Sequence, residues 1–117
     1  MKNILISGGG GYLGTFMTQE FLKNYKVTIF DKFYFPWVLK NKKKFKNYKN
    51  LNFIKKDISQ AKIEDFKGID VVCDLNGISN DPSSELNSKY TWKVNFKDRL
   101  NFAQKAKKAG VKKYIFN

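Results

Sequence analysis

The residues best suited to chemistry form a glycine-rich stretch near the amino terminus, "SGGGGYLG" at residues 7–14. Five of the chain's eight glycines stand there, directly after the apolar run at 4–6. Glycine lets a backbone turn tightly and lets a ligand approach it closely. A helix that follows such a turn offers free N–H groups and a positive dipole end to an anion. The stretch therefore predicts a phosphate-binding turn.

Two glycine registers in this stretch fit a dinucleotide-binding turn. One is Gly9-x-Gly11-x-x-Gly14 and the other is the wider Gly8-x-x-Gly11-x-x-Gly14. The first glycine permits the tight turn, the second admits the pyrophosphate, and the last lets helix and strand pack closely. A P-loop is excluded because no Gly-Lys-Ser/Thr follows.

Asp31 is the second candidate binding residue. It ends the predicted strand "VTIFD", 17 residues after Gly14, where a carboxylate accepts hydrogen bonds from the adenosine ribose hydroxyls. A carboxylate also repels a 2′-phosphate, so NAD is favoured over NADP, while the neighbouring Lys32 keeps NADP as the less favoured cofactor. An ordinary strand-end aspartate is the alternative interpretation.

The elements that must position these residues alternate regularly along the chain. Apolar β-type runs predict strands at 2–7, 27–30, 51–55, 69–75 and 112–116. Helices are predicted at 12–24 and 88–109, with a short irregular helix after Pro36 and a short turn or helix around 60–66. This alternation predicts one α/β domain over residues 1–117, a Rossmann-type doubly wound parallel sheet with strand order 3-2-1-4-5.

Apolar residues at helical spacing mark one face of each long helix, and Gly110 is predicted to end the second helix. The first face comprises Leu13, Phe16, Met17, Phe21 and Leu22. The second comprises Trp92, Phe96, Leu100, Ala103 and Ala106. We expect both faces to pack on the sheet.

Composition limits the other function classes. The net charge is +13, yet 22 Lys stand against one Arg, and Arg is the residue that recognises phosphate and guanine bidentately. The basic segment "LKNKKKFKNYKN" at 39–50 interleaves Phe45 and Tyr48, and a solvated surface is its favoured interpretation. A basic nucleic-acid-binding module remains the less favoured alternative.

Cysteine and histidine usage argues against a metal or disulfide framework. The single Cys73 cannot form an intramolecular disulfide, and the chain has no His, so no metal site is predicted. Neither a signal peptide nor an apolar run long enough for a membrane span is present. We therefore expect a soluble cytoplasmic protein.

The motif "ISGGGGYLG" resembles the Thr-Gly-Gly-x-Gly-Tyr-x-Gly signature of the extended short-chain dehydrogenase/reductases, the NAD-dependent epimerase/dehydratase family. The wider glycine register is the one of that family. Three later segments resemble the family in the same order and extend the resemblance over the whole chain. They are "KKDIS" at 55–59, "CDLNGISNDPSSEL" at 73–86 and "WKVNFKDRLNFAQKAKKAGVKKYIF" at 92–116.

The resemblance implies an NAD site, a small-molecule substrate such as a nucleotide sugar, and a homodimer formed through the helix at 88–109. Asp57 and Ile58 would border the adenine. The cofactor-binding residues that it implies are Gly8, Gly11, Tyr12, Leu13, Gly14, Asp31, Lys32, Asp57, Ile58, Leu75, Asn76, Gly77 and Asn95.

The chain departs from the family pattern at several positions near this site. Asp74 stands in place of the common His, and Asn76 in place of a small Ala beside the cofactor path. Asn76 either hydrogen-bonds the nicotinamide ribose or crowds it, and the sequence leaves both open. Asp98 and Arg99 stand where the family has Gly-Thr, and we expect both on a helix surface.

The family's proton-transfer pair is missing from the sequence. In the family, a Tyr-x-x-x-Lys motif supplies a Tyr acid–base whose pKa the Lys lowers. None of the six tyrosines has Lys four residues later, so no catalytic residue is assigned. The chain is interpreted as the cofactor-binding portion of an NAD-dependent sugar-nucleotide epimerase/dehydratase-type oxidoreductase, inactive by itself. A non-catalytic NAD-binding or oligomerisation module is the alternative.

Overall fold

The computed structural model describes residues 1–76 and 93–116. Five parallel strands form one sheet in the order β3-β2-β1-β4-β5, which confirms the predicted α/β class and strand order. Their bounds are β1 Asn3–Ser7, β2 Lys26–Asp31, β3 Leu51–Lys55, β4 Val71–Asp74 and β5 Lys113–Phe116. The order reverses direction between β1 and β4, where Ser7 pairs with Asp74.

Helices connect the strands. Helix α1 covers Tyr12–Phe21, the short α2 covers Trp37–Lys40, and α3 covers Arg99–Lys108 directly after a π-helical turn at Lys93–Asp98. Single 3₁₀ turns lie at Lys42–Lys44, Tyr48–Asn50, Ile58–Gln60 and Ile63–Phe66. The predicted start of the last helix, 88–92, lies outside the described residues.

Both faces of the sheet are buried, as expected for a parallel sheet. Ile4 and Ile6 of β1 belong to the core on the α1 side, with Leu22 below the end of that helix. Leu5 belongs to the core on the opposite side, where Phe102 of α3 contacts Phe30 and Phe66 edge-on with ring centroids 5.1 and 4.8 Å apart.

The predicted apolar face of α1 is partly wrong. Leu13 and Phe16 are 47% and 60% exposed, whereas Gly14 and Thr18 are the buried residues of the helix. The helix also ends at Phe21 rather than at residue 24. The close approach of Gly14 to the glycine loop places Gly14 and Thr18 against the sheet, while Met17, Phe21 and Leu22 of the predicted face do pack on the core.

The predicted face of α3 is also partly wrong. Phe96 and Leu100 are 57% and 49% exposed, and the buried residues of the helix are Phe102 and Ala106. A π-helical turn bonds i to i+5 instead of i to i+4, so the residues after it fall out of the α-helical phase that the sequence suggested. Trp92 lies outside the described residues.

Gly110 ends α3 as predicted. It has φ +91°, and its N–H donates to the carbonyl of Lys107 while the N–H of Val111 donates to the carbonyl of Ala106. This pair of bonds is the Schellman arrangement, which needs a left-handed residue after the helix. The chain thereby turns sharply into β5.

Candidate cofactor-binding site

The glycine loop leaves β1 at the carboxyl edge of the sheet and closes tightly on β4. Gly8 has φ +73°, and a Cβ there would lie 2.9 Å from the carbonyl oxygen of Leu75 and 3.1 Å from the amide nitrogen of Asn76. An L-residue would be strained in both backbone and space. Gly8 is therefore the residue that lets the loop turn beside the end of β4.

Gly14 brings α1 against the same loop. A Cβ on Gly14 would lie 2.4 Å from the Cα and carbonyl oxygen of Gly9, a contact that no side-chain rotation relieves. A Cβ on Gly9 would in turn lie 2.9 Å from the side chains of Ile6 and Ile29. Two glycines thus let helix and strand pack in direct backbone contact.

Gly11 differs from the neighbouring glycines because a Cβ at this position would have room. The nearest atom to a Cβ there would be the carbonyl oxygen of Gly8, at 3.8 Å. Gly11 is the N-cap of α1 with φ −82°, which any residue adopts, and the first turn of α1 holds no acidic residue and no side-chain cap. The described residues thus give no steric reason for a glycine at position 11.

Asp31 lies at the end of β2 and supports the glycine loop. Its carboxylate accepts the N–H of Gly10 at 2.9 Å and the N–H of Phe33 at 2.6 Å. Phe33 has φ +62°, so the chain turns away from the sheet immediately after Asp31. The structure therefore brings the two predicted halves of the site, the loop and the strand-end carboxylate, into direct contact.

Lys32 is bound to the other predicted acidic residue. Its Nζ lies 2.7 Å from Oδ2 of Asp57 and 3.0 Å from the hydroxyl of Tyr34. Partial burial raises the pKa of Asp57, but the hydrogen bonds from Lys32 and from the Ser59 N–H outweigh it, so the net pKa lies below the usual value. The ammonium of Lys32 is thus engaged by both Asp57 and Tyr34.

The other implied site residues divide into exposed and packed groups. Tyr12 is 93% exposed and Leu13 47% exposed at the start of α1, on the open side of the loop. Ile58 is only 6% exposed within the second core, so backbone rather than side chain is available for a ligand there. Gly77 lies outside the described residues, and of Asn95 only the backbone, in the π-helical turn, is described.

A buried polar network that the sequence did not reveal lies at the carboxyl ends of β1 and β4. Asp74 is fully buried, and its Oδ2 accepts from Nε of Arg99 at 3.2 Å and from the hydroxyl of Tyr114 at 2.7 Å. Its Oδ1 accepts the hydroxyl of Ser7 at 3.3 Å and both the N–H and Nδ2 of Asn76 at 2.9 and 3.2 Å.

Asp98 and Arg99 are therefore not on the surface, which corrects the expectation from the sequence. Asp98 is 5% exposed, and the Arg99 side chain is 14% exposed in its ion pair with Asp74. The guanidinium carbon also lies 5.4 Å from the ring centre of Phe116. A signal existed in the sequence, because the only Arg of the chain and an unusual strand-end Asp are both departures from the family pattern.

Tyr114 acts in this network as a donor only. Burial raises its pKa far above the usual value, and the charge and hydrogen bond of Asp74 raise it further, against a smaller opposite effect of Arg99. A tyrosine held protonated in this way stabilises the carboxylate.

The basic segment at 39–50 is built differently from a base-stacking surface. Phe45 is 4% exposed in the first core, and Tyr48 packs partly buried against the same core. Four lysines, Lys40, Lys42, Lys43 and Lys44, line an open surface cavity of about 460 Å³. Because the aromatic rings pack inwards, they are not available for the stacking on which single-strand recognition depends.

Over residues 1–76 and 93–116, no group of three His, Cys, Asp or Glu side chains could hold a metal ion. Within the same ranges, no helix is long and apolar enough to cross a membrane. Cys73 is buried, which raises the pKa of its thiol.

Comparison with known proteins gives a family match and one similar protein sequence. The model of the NAD dependent epimerase/dehydratase family matches residues 4–117. An uncharacterized protein of Methanocaldococcus jannaschii is 31% identical over 126 aligned residues, which cover 98% of this chain and 39% of that protein. The chain thus spans well under half of the length of this relative.

Solved structures show the same partial coverage. The UDP-N-acetylglucosamine 4-epimerase of Methanobrevibacter ruminantium, solved with UDP-N-acetylmuramic acid, is 29% identical with a TM-score of 0.84, over 98% of this chain and 37% of that one. The UDP-glucose 4-epimerase of Stenotrophomonas maltophila, solved with NAD, is 19% identical with a TM-score of 0.87. The match covers 99% of this chain and 36% of that one, and at this identity it shows a similar fold alone. With the family model matched over nearly all of its length, this chain belongs to the NAD-dependent epimerase/dehydratase family.

Proposed function

We propose that residues 1–117 are the NAD-binding domain of a sugar-nucleotide epimerase or dehydratase. The observation that carries the proposal is the open space at Gly11, at the uncapped start of α1 and beside a loop that Asp31 holds in place. Family membership and the UDP-sugar epimerase named above support it. When bound, the nicotinamide ring supplies the hydride acceptor for oxidation of a sugar hydroxyl.

The chain's own residues would each hold one part of the dinucleotide. The N–H groups at the start of α1 and the loop around Gly8, Gly11 and Gly14 receive the pyrophosphate, and the helix dipole favours its charge. Asp31 accepts the adenosine ribose hydroxyls while it keeps its bond to Gly10. The remaining implied residues line the adenine side and the nicotinamide side. They are Tyr12, Leu13, Lys32, Asp57, Ile58, Leu75, Asn76, Gly77 and Asn95.

NAD rather than NADP is the proposed cofactor. A 2′-phosphate would meet the carboxylate of Asp31, and the nearest cation in sequence, Lys32, is bound to Asp57 at 2.7 Å. A 2′-phosphate would therefore compete with Asp57 for the charge of Lys32. The geometry thus supports the preference that the sequence suggested.

Proton transfer is not assigned to any residue of this chain. Tyr12, Tyr25, Tyr34, Tyr48 and Tyr90 have no Lys four positions later, and the hydroxyl of Tyr114 donates to Asp74. We propose that the chain binds cofactor without turning over a nucleotide sugar by itself. The alternative, a non-catalytic NAD-binding or oligomerisation module, also predicts that the chain binds NAD. Binding of a nucleotide sugar to the NAD-loaded protein would distinguish the two and favour the epimerase or dehydratase.

Titration calorimetry with NAD and ADP tests the proposal directly. Gly11→Val should abolish or strongly weaken binding of both ligands, because its side chain fills the space proposed for the pyrophosphate. The variant should lose only about 1 kcal/mol of the free energy of unfolding, because Val is a poorer N-cap than Gly, while the nearest atom to the new Cβ is the carbonyl oxygen of Gly8 at 3.8 Å. Unchanged affinity in Gly11→Val, or no binding of either ligand to the wild-type protein, would contradict the proposed function.

Gly14→Ala provides the matched control for Gly11→Val. Its Cβ would meet the backbone of Gly9 at 2.4 Å, so the cost should appear as a lower free energy of unfolding before any ligand is added. A pattern in which both variants lose stability equally would mean that Gly11 serves the fold and not the ligand.

A further inference from the structure

Three departures from the family pattern meet in one hydrogen-bonded unit. Asp74, Asn76 and Arg99 are separated by up to 25 positions, yet the Asp74 carboxylate contacts both of the others. The unit lies where β1 and β4 separate, which is the crevice that binds ligands in doubly wound sheets. A Cβ on Gly8 of the loop would lie 3.1 Å from the amide nitrogen of Asn76, so loop and unit are in contact.

The carboxylate fixes the orientation of the Asn76 side-chain amide. Nδ2 must face Asp74, because the amide oxygen in its place would oppose a carboxylate oxygen about 3 Å away. The backbone N–H of Asn76 donates to the same Oδ1 at 2.9 Å and fixes the residue from a second side. Oδ1 of Asn76 accepts no hydrogen bond from any other residue in the described ranges, so it remains an acceptor at the crevice.

Arg99 and Tyr114 hold the Asp74 side chain in place. Five hydrogen bonds from four residues converge on its two buried oxygen atoms. Arg99 supplies the compensating charge at 3.2 Å and adds a bond from Nη2 to the carbonyl oxygen of Asp74 at 3.3 Å. Without that charge, burying the carboxylate would be costly.

From this geometry we infer that Asn76 accepts a hydrogen bond from a hydroxyl of the nicotinamide-side ribose, and that Arg99 is a positioning residue acting through Asp74. The amide oxygen of Asn76 would repel the pyrophosphate, so its partner in the ligand should be a hydrogen-bond donor. The hydroxyls of the second ribose are the donors that come next after the pyrophosphate in NAD. The inference rests on the proposed function and resolves whether Asn76 binds the ribose or crowds it.

A series of ligands of increasing length separates this role from the pyrophosphate site. ADP ends at the pyrophosphate, ADP-ribose adds the second ribose, and NAD adds the nicotinamide. Asn76→Ala should leave the affinity for ADP unchanged and weaken that for ADP-ribose and NAD by about threefold to tenfold, the value of one hydrogen bond. Asn52→Ala, an exposed residue on β3, is the control and should change none of the three.

Arg99 is tested by the same ligands in two variants. Arg99→Met should show the selective loss for ADP-ribose, and Arg99→Lys, which keeps the charge, should recover part of it. The side-chain amide signal of Asn76 in a nitrogen-15 spectrum should shift with ADP-ribose but not with ADP. If Arg99→Met does not fold, the Asn76→Ala series and this signal still decide the inference.

Each result has one meaning. The inference would be overturned if Asn76→Ala lost affinity equally for ADP and ADP-ribose, lost it for neither, or bound ADP-ribose more tightly. In each of these cases, binding of ADP by the wild-type protein would still uphold the proposed function. Failure of the wild-type protein to bind ADP at all would overturn both.

Discussion

Replacing Arg99 by Met tests the buried ion pair most directly. The Asp74 side chain has no exposed surface and Arg99 is 14% exposed, so solvent screens the pair little. Removing one partner of such a pair leaves an uncompensated buried charge, which costs about 3–5 kcal/mol of the free energy of unfolding. At roughly 4 °C per kcal/mol for a chain of this length, the melting temperature should fall by about 12–20 °C.

Urea unfolding at pH 7, followed by tryptophan fluorescence, measures this loss. The control is Lys23→Met, which removes an ion pair with Glu20 whose partners are 61% and 55% exposed. That variant should lose no more than about 0.5 kcal/mol, as exposed helix pairs do. The contrast between the two variants isolates the effect of burial.

The double variant Asp74→Asn/Arg99→Met keeps the test meaningful if the single variant is too unstable to purify. It removes both charges, so it should recover about 2 kcal/mol or more of the loss seen in Arg99→Met. If Arg99→Met costs less than about 1 kcal/mol, or the double variant is no better than the single one, the ion pair is not a buried compensating pair and the reasoning fails.

Three further outcomes are expected. Asp31→Asn keeps an acceptor for the loop but removes the charge, so it should lower the ratio of NAD to NADP affinity by about fivefold or more, since two like charges about 4 Å apart repel by between about 1 and 4 kcal/mol. Equal ratios for the variant and the wild type in calorimetry would exclude this role. Asp57→Asn should be less stable than the wild type in urea at pH 7. This difference in the free energy of unfolding should shrink as the pH falls below 3.8, because a carboxyl whose pKa is lowered in the folded state stabilises it only when ionised. A difference that persists at pH 2.5 would argue against the pair with Lys32. Leu100→Lys should reduce self-association through the helix proposed as a dimer contact, since Leu100 is 49% exposed; sedimentation that shows a monomer for both proteins would contradict a dimer through this helix.

The sheet was predictable because short apolar runs, the glycine loop and the strand-end Asp31 are each local in sequence. Strand order followed from alternation and handedness, and β3 was predicted to the residue. The faces of the helices were not predictable, since they depend on two contacts that periodicity does not encode. One is the approach of Gly14 to Gly9, and the other is the π-helical turn before α3.

The polar network around Asp74 could not be predicted from the sequence, for a different reason. Asp74 and Arg99 are 25 positions apart, and each looks tolerable by itself as a strand-end acid or a helix-surface base. Only the pairing of β4 with β5 and the position of α3 bring the carboxylate, the guanidinium and the Tyr114 hydroxyl together. A charge pattern becomes informative once the fold supplies the distances.

At the crevice, the glycine loop matches the family pattern, whereas the Asp74 network beside it departs from that pattern. Gly8, Gly11 and Gly14 keep the family's spacing, and their backbone geometry can serve a pyrophosphate with no side chain involved. Beside them, Asn76 stands where the family has a small residue, and Asp74, which orients its amide, is paired with Arg99. A change at Asp74 or Arg99 alone would break the ion pair, and a change at Asp74 would also remove the acceptor that orients the Asn76 amide. The proposed ribose contact therefore depends on these three residues together, whereas the proposed pyrophosphate contact depends on the glycine loop.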